Sequence, residues 1–349
     1  MSAEPLISNS PKGFKIVQYG ITPQNVGLDL VRVTETTALA CGRWIGAGDE
    51  NAAHMAATHA MEAALNSLNM QGSVVVGEER VVGEEVPPLG TGTKVGTGTG
   101  AEVDVLVDPI DGTGSLSEGR RGAISVVAVA PKGAIWSPGP ATYMEKIVVD
   151  REVAHALVPE CLDAPAAWTL ALIARIKRKR IEDLAVIVLD RFRHNDLIDE
   201  IRAAGARILL RDDGDTEGAL VAATPDTDAD LLMGIGGASQ GVLSACAVKA
   251  MGGGMLARLA PQSAHERALL EAEGLDRRRI FQCDDLVKGN EIFFAATGIT
   301  QSYLLNSVRF DSQFAQTHSM LLRMETQTRR FIRAEHRPFS EQLVEAQKH

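Results

Sequence analysis

Residues 103–113 read Val-Asp-Val-Leu-Val-Asp-Pro-Ile-Asp-Gly-Thr. Val103, Val105 and Val107 alternate with Asp104 and Leu106, which is the period of a strand with at least one buried face. Pro109 has no N–H to give to a ladder, so the strand is expected to stop there. Asp108 and Asp111 then stand at a strand end, three positions apart on a sharp turn, with the Thr113 hydroxyl beside them. Two carboxylates so close repel unless a divalent cation lies between them, and hard oxygen donors suit Mg2+ or Mn2+. The same residue types also build an ordinary solvated turn, and spacing alone leaves both readings open.

Upstream, Gln71 to Glu79 reads QGSVVVGEE, a short β-branched strand over Ser73–Val76 that ends in Gly77 and then Glu78 and Glu79. Two strands thus end in carboxylates. If they are neighbours in a sheet, their acidic ends converge, as a site with two metals and a bridging phosphate requires. A pair of exposed glutamates in a loop is the plainer reading of the same letters.

The chain around these strands has 349 residues, 45% of them hydrophobic and 23% charged, enough for two domains or one large two-lobed unit. Its formal net charge of −10 argues against general affinity for nucleic acid or anionic membranes, while a local basic pocket for a phosphorylated metabolite remains compatible with it. Cys41, Cys161, Cys246 and Cys283 form no CxxC pair and read as reduced and structural. No uncharged apolar run is long enough for a bilayer and no leader pattern opens the chain, so a cytoplasmic protein is expected.

Met1 to about residue 25 is expected to be an irregular arm, punctuated by Pro5, Pro11, Gly13, Gly20 and Pro23. Leu28, Val31, Thr34, Ala38 and Cys41 predict one helical stripe, and a second Ala-rich helix is predicted from Glu50 to about Leu68 with Asp49 as its cap. Gly90–Gly100, GTGTKVGTGTG, reads as a hairpin or loop; it lacks the Gly-Lys-Ser/Thr of a P-loop. Strands are predicted over Ala123–Ala130 and Tyr143–Val149, and a helix over Ala166–Arg178 whose basic end, Lys177–Arg180, reads as a solvated C-terminus.

Beyond that point strands and helices alternate: strand 184–189, helix 195–204, strand 206–210, a turn at 212–215, helix 217–223, strand 230–233 and helix 240–251. This pattern predicts a parallel or mixed α/β lobe with ligand-binding loops at its strand ends. The expected division is an N-terminal lobe over 26–160 with the metal site, a C-terminal lobe over 161–336 with sugar-phosphate loops, and a tail over 337–349. Arg191, Arg193 and His194 follow one strand, Asp213-Gly214-Asp215 the next, and Gly234–Gly241 a third. Two arginines and a histidine suit a phosphate, and two aspartates suit sugar hydroxyls.

With these pieces in order the chain resembles the class II fructose-1,6-bisphosphatases, within the lithium-sensitive, inositol-monophosphatase-like phosphatase superfamily, over about residues 26–336. The resemblance rests on VRVTETTALA (31–40), GAGDEN (46–51), VVVGEE (74–79), VDVLVDPIDGT (103–113), TYMEK (142–146), RFRH (191–194), DGD (213–215), GIGGASQG (234–241) and FFAATGIT (293–300). It implies an α/β fold, an α+β layered sandwich of alternating helical and sheet layers, with the active site between two lobes. It also implies metal-dependent hydrolysis of a sugar bisphosphate, with fructose 1,6-bisphosphate or sedoheptulose 1,7-bisphosphate as candidate substrates, as in gluconeogenesis.

Carried over by position, the resemblance makes Glu78, Asp108, Asp111 and the Ile110 carbonyl metal ligands, with Gln240 as a neutral further donor and Mg2+ or Mn2+ as cofactor. It makes Thr113 the residue that orients or deprotonates the attacking water. It assigns the sugar phosphate to Asp111, Gly112, Thr113, Tyr143, Arg191, Arg193, His194, Asp213, Gly214, Asp215 and Gly237, with Arg191 where the pattern usually has lysine. The implied partner is a small phosphorylated sugar, and a homo-oligomer is expected.

Three of the departures from the pattern, His54, Arg80 and Gln240, each remove a negative charge. His54 and Gln240 stand where the family has acidic residues, Arg80 occupies a usually acidic place, and Asp111 replaces a glutamate. Loss of negative charge weakens the hold on a second cation. His54 has three readings: a ligand for a softer ion such as Mn2+, a base, or a polar helix residue. Two alternatives to the leading function therefore stay open: a phosphatase of another sugar or cyclitol phosphate, and a non-catalytic sugar-phosphate binder.

Overall fold

The computed structural model describes residues 26–78 and 87–337. The expected arm over 1–25, nearly all of the tail, and Glu79 and Arg80 lie outside the described residues. Helix α1 (Val26–Cys41) packs against α2 (Glu50–Asn66), whose Asp49 cap accepts a hydrogen bond from Ala52 N–H at 2.9 Å. The stripe on α1 starts at Gly27, where the missing side chain admits Leu321 and Phe293; Leu28, expected in the stripe, is 41% exposed.

The first sheet opens with β1 (Met70–Val76), β2 (Lys94–Val95), β3 (Ala101–Asp111) and β4 (Ile124–Pro131). Strand β3 does not stop at Pro109 as expected. Asp108 pairs with Val126 and Asp111 with Ile124, so three steps on β3 match two on β4, and a bulge absorbs the proline. The Gly-rich segment before β3 folds as turns around β2, which pairs antiparallel with β1. A short helix, α3 (Thr113–Ser117), follows the bulge.

The chain then builds a second, mixed sheet from β5 (Tyr143–Val149), β6 (Ala185–Leu189), β7 (Arg207–Arg211), β8 (Leu231–Gly237), β9 (Gly254–Leu259) and β10 (Phe281–Gln282). Strand β6 runs parallel to β7 and β8, while β5 lies antiparallel between β8 and β9. The intervening helices are α4 (Ala166–Lys177), α5 (Asn195–Ala203), α6 (Asp215–Ala223), α7 (Ala238–Ala250), α8 (Ala264–Ala272) and α9 (Cys283–Leu286). Finally β11 (Phe293–Gly298), β12 (Arg309–Phe310), β13 (Ala315–Arg323) and β14 (Thr328–His336) return to the first sheet, in the order β12-β13-β11-β4-β3-β1-β2 with β14 beside β13. Sheet membership therefore cuts across residue 160: β5 precedes it in the second sheet, and the last four strands belong with the first.

Helices α6 and α7 contact strands of both sheets and form the middle layer, so every residue of α6 is buried and its apolar residues have no preferred side. Helices α1 and α2 cover the outer face of the first sheet, and α4 and α5 that of the second. The fold is thus an α/β layered sandwich. All four cysteines are buried and unpaired, and burial pushes the Cys41 and Cys283 thiols up to about 12.

The basic end of α4 is not solvated as expected. The Lys177 side chain, 9% exposed, pairs with Asp150 at 2.7 Å and Asp230 at 3.1 Å, and Lys179 reaches Asp230 at 2.7 Å. Burial alone would raise the Asp230 carboxyl; hydrogen bonds from Lys179, Ala185 N–H and Lys177 more than offset it and hold the group below its ordinary range. Asp230→Ala should therefore destabilise the protein by about 3 kcal/mol in urea unfolding, the scale of a broken buried ion pair. A midpoint equal to wild type would assign the cluster no structural role.

Candidate active site

Strands β1 and β3 run parallel, with Val74 opposite Val105 and Val76 opposite Leu106, so both end at the same edge of the sheet. That register brings Glu78, just past β1, beside Asp108, and the bulge carries Asp111 round to the same side. All three acids line one cavity of about 500 Å³, together with His54, Ile110, Gly112 and Thr113. The opposite wall comes from the second sheet: Tyr143, Arg191, Arg193, Asp213, Asp215 and Gly237, with Gln240 from the first turn of α7.

The carboxylates sit in a field that disfavours charge. Burial, reinforced by the Glu78 charge, pushes the Asp108 carboxyl up to about 7, although Gln240 donates to its Oδ2 at 3.1 Å. Asp111 is raised well above the ordinary range by burial and then by Asp108, even though it accepts N–H bonds from Thr216 and Glu217 at 3.4 and 3.0 Å. Those two donors are orphan amides at the start of α6, so Asp111 caps a helix across the interface. His54 Nε2 lies 3.2 Å from Glu78 Oε2, and that bond raises the imidazole pKa against the opposing effect of burial. Thr113 Oγ1 donates to the Ile110 carbonyl at 3.1 Å, which leaves the hydroxyl lone pairs free to accept.

On the wall from the second sheet, Arg193 donates through Nε and Nη2 to Ile235 O at 3.2 and 2.9 Å and stacks 5.0 Å from the Tyr143 ring centroid. Arg191, half-exposed, lies 3.9 Å from Asp213, whose Oδ2 accepts Gly114 N–H at 3.3 Å. Two residues expected to touch substrate do not line the cavity. The His194 ring is buried beneath it, with Nδ1 on Leu189 O at 2.6 Å and Nε2 accepting from Ile235 N–H at 2.8 Å, and burial lowers its pKa. It braces β6 against β8. Gly214, at φ +82°, makes the left-handed turn into α6, where a Cβ would lie 3.0 Å from Gly122 O.

Sequence reasoning missed three contributors. Ser239 lines the cavity beside Gln240, Gly236 forms part of its floor, and Lys146 lies fully buried against Asp215. Gly236 and Ser239 fall inside the segment 234–241 singled out above and Lys146 inside TYMEK (142–146), none with an assigned role; Lys146 is also a lone cation in the apolar strand Tyr143–Val149.

Among the described residues no group of three or more His, Cys, Asp and Glu side chains is arranged, as it stands, to hold a metal ion. The donors come as two repelling neighbours, Glu78 with Asp108 and Asp108 with Asp111. Carboxylates on one open side of the cavity suit Mg2+, which keeps waters and takes phosphate oxygens as further ligands. The donor chemistry therefore fits a hard divalent cation. As placed, Gln240 presents its amide N–H to Asp108, so it holds a donor where it was expected to be one.

Among the described residues no helix is long and apolar enough to cross a membrane. The family model for bacterial glpX-encoded fructose-1,6-bisphosphatase matches residues 24–336. The class 2 fructose-1,6-bisphosphatase of Haemophilus influenzae is 38% identical over 324 residues, covering 89% of this chain and 96% of that protein. Fructose-1,6-bisphosphatase 1 class 2 of Escherichia coli K12 is 34% identical over 326 residues, covering 90% and 95% respectively. With acids from one sheet facing arginines and aspartates from the other across a single cavity, and with matches of this length, the chain belongs to the class II fructose-1,6-bisphosphatase family.

Proposed function

We propose that this protein hydrolyses a sugar bisphosphate, fructose 1,6-bisphosphate first and sedoheptulose 1,7-bisphosphate as the further candidate, with Mg2+ or Mn2+ held by Glu78, Asp108, Asp111 and the Ile110 carbonyl. The observation that carries this reading is one cavity with an acidic wall from the first sheet and a cationic, hydroxyl-accepting wall from the second. When bound, the cation supplies charge for the phosphoryl oxygens and acidifies a coordinated water.

The residues have separate tasks. Thr113, its proton committed to Ile110 O, accepts from the attacking water and sets its line of approach. Arg191 and Arg193 take the phosphate that is not cleaved, with Arg193 held by Ile235 O and Tyr143. Asp213 and Asp215 accept from sugar hydroxyls. His54 donates to Glu78 and Gln240 to Asp108, so both hold acids in place of adding charge. The same two bonds favour a second reading, a sugar-phosphate binder without turnover, since each ties up an oxygen that faces the cation.

Phosphate release from a panel of sugar bisphosphates, sugar monophosphates and inositol phosphates, each with Mg2+ and with Mn2+, separates these readings. Turnover is expected, and Asp108→Asn should reduce it by at least roughly 100- to 1,000-fold with the fold intact, the scale for removing one preorganised charge. Binding without release by the wild-type protein would establish the second reading. His54→Asp should lower the Mg2+ concentration needed for half-maximal activity, because it restores a carboxylate beside Glu78; an unchanged requirement would remove His54 from the cation's surroundings.

The raised carboxyls also predict a pH dependence of stability. In metal-free protein the folded-state pKa of Asp108, about 7, lies above its unfolded value, so the stabilisation is full below the ordinary carboxylate range and is lost as pH rises through 7. The melting temperature of metal-free protein should fall between pH 5 and 8, and saturating Mg2+ should stabilise more at pH 8 than at pH 5. Asp108→Asn should flatten the metal-free profile; an identical slope in that variant would locate the effect elsewhere.

A further inference from the structure

Lys146 stands in the middle of β5, on the face it shares with Met144 and Val148, and its side chain is 0% exposed. Its ammonium meets Asp215 Oδ2, its one hydrogen-bond partner among the described residues. An ammonium has three donors, and burying it against a single carboxylate is no more stabilising than apolar residues of the same volume would be. Stability alone therefore does not account for a lysine at this position. What the lysine touches does, because Asp215 is the first residue of α6, is itself buried, and lines the cavity.

The surroundings are built for this pair. Gly236 on β8 faces it, and a Cβ there would overlap Asp215 Oδ2 and lie 2.7 Å from Lys146 Nζ. With Oδ2 engaged by the lysine, Oδ1 has no hydrogen-bond partner among the described residues. Asp215 is thus clamped with one oxygen occupied and the other available to the cavity.

Resting on the function proposed above, we infer that Lys146 is a positioning residue for substrate selection: it fixes Asp215 as a charged acceptor of single orientation for a hydroxyl on the carbon skeleton of a sugar phosphate. The clamp reads the polyol and leaves the phosphate to other residues. Loss of Lys146 should therefore weaken the sugar bisphosphate and spare inorganic phosphate.

Steady-state kinetics with fructose 1,6-bisphosphate as substrate and inorganic phosphate as competing ligand test this on Lys146→Met, Asp215→Asn and the double variant. Lys146→Met should raise KM roughly 10- to 100-fold, the range for a lost hydrogen bond to a charged group, with kcat within about threefold. Its inhibition constant for phosphate should stay at the wild-type value. In the Asp215→Asn background, adding Lys146→Met should cost nothing further, since the lysine acts only through that carboxylate. The double variant buries no unpaired charge, so if the single lysine variant fails to fold, a wild-type KM in the double variant overturns the inference. Equal weakening toward phosphate and sugar, a second additive penalty, or an unchanged KM in folded Lys146→Met overturns the inference. Wild-type protein that neither turns over nor binds sugar bisphosphates overturns the functional reading and this inference together; active wild type with unchanged Lys146→Met overturns this inference alone.

Discussion

The Asp111 carboxylate belongs to two parts of the molecule at once. It ends the third strand of the first sheet, beyond a bulge that holds a proline, and it accepts the N–H groups of Thr216 and Glu217 where α6 begins. Gly214, the residue in the capping position of that helix, has no side chain to do this. The helix start, the second sheet that α6 packs on, and the acidic wall are therefore held by one group. Its own environment penalises its charge, through burial and through Asp108. Such a group stays ionised only with compensation, which the α6 amides give in part and a cation would complete.

Charge balance follows from the same constraint. Three acids that repel one another are tolerable while neighbours donate to them, and His54 and Gln240 both do so. A glutamate in place of Gln240 would add a further negative group beside Asp108, so the amide eases the metal-free protein. On the far wall the pattern is different: Arg193 is pinned by a carbonyl and a ring, and Asp215 by a buried lysine, so the groups of that wall are set before any ligand arrives.

Much of this was legible in the letters. Period-2 alternation located β3, β-branched and apolar runs located β1, β5 and β6, and the two acidic strand ends did meet, because parallel pairing aligns the C-terminal ends of neighbouring strands. What was hidden depended on long-range packing. A proline reads as a strand end, yet a bulge carried β3 past it. The basic run after α4 reads as solvent-facing, yet Asp150 and Asp230, distant in sequence, draw Lys177 inward. His194 sits in a motif of phosphate-binding type, but Leu189 and Ile235 claim both of its ring nitrogens. Lys146 falls inside the quoted TYMEK segment, and its meaning required knowing that α6 starts directly against β5. In each case local pattern gave the element and a distant partner set the role.

The middle layer has a consequence for how the chain comes to be folded. Helices α6 and α7 have buried residues all round, and each touches strands of both sheets. The first of those sheets takes four strands from residues 70–131 and four from 293–336. During synthesis, then, the central helices leave the ribosome with only half of the first sheet made, and the strands β11 and β13 that α7 packs against are still to come. Contacts so distant in sequence form late, and until they do the apolar surface of α7 that β11 and β13 cover stays exposed.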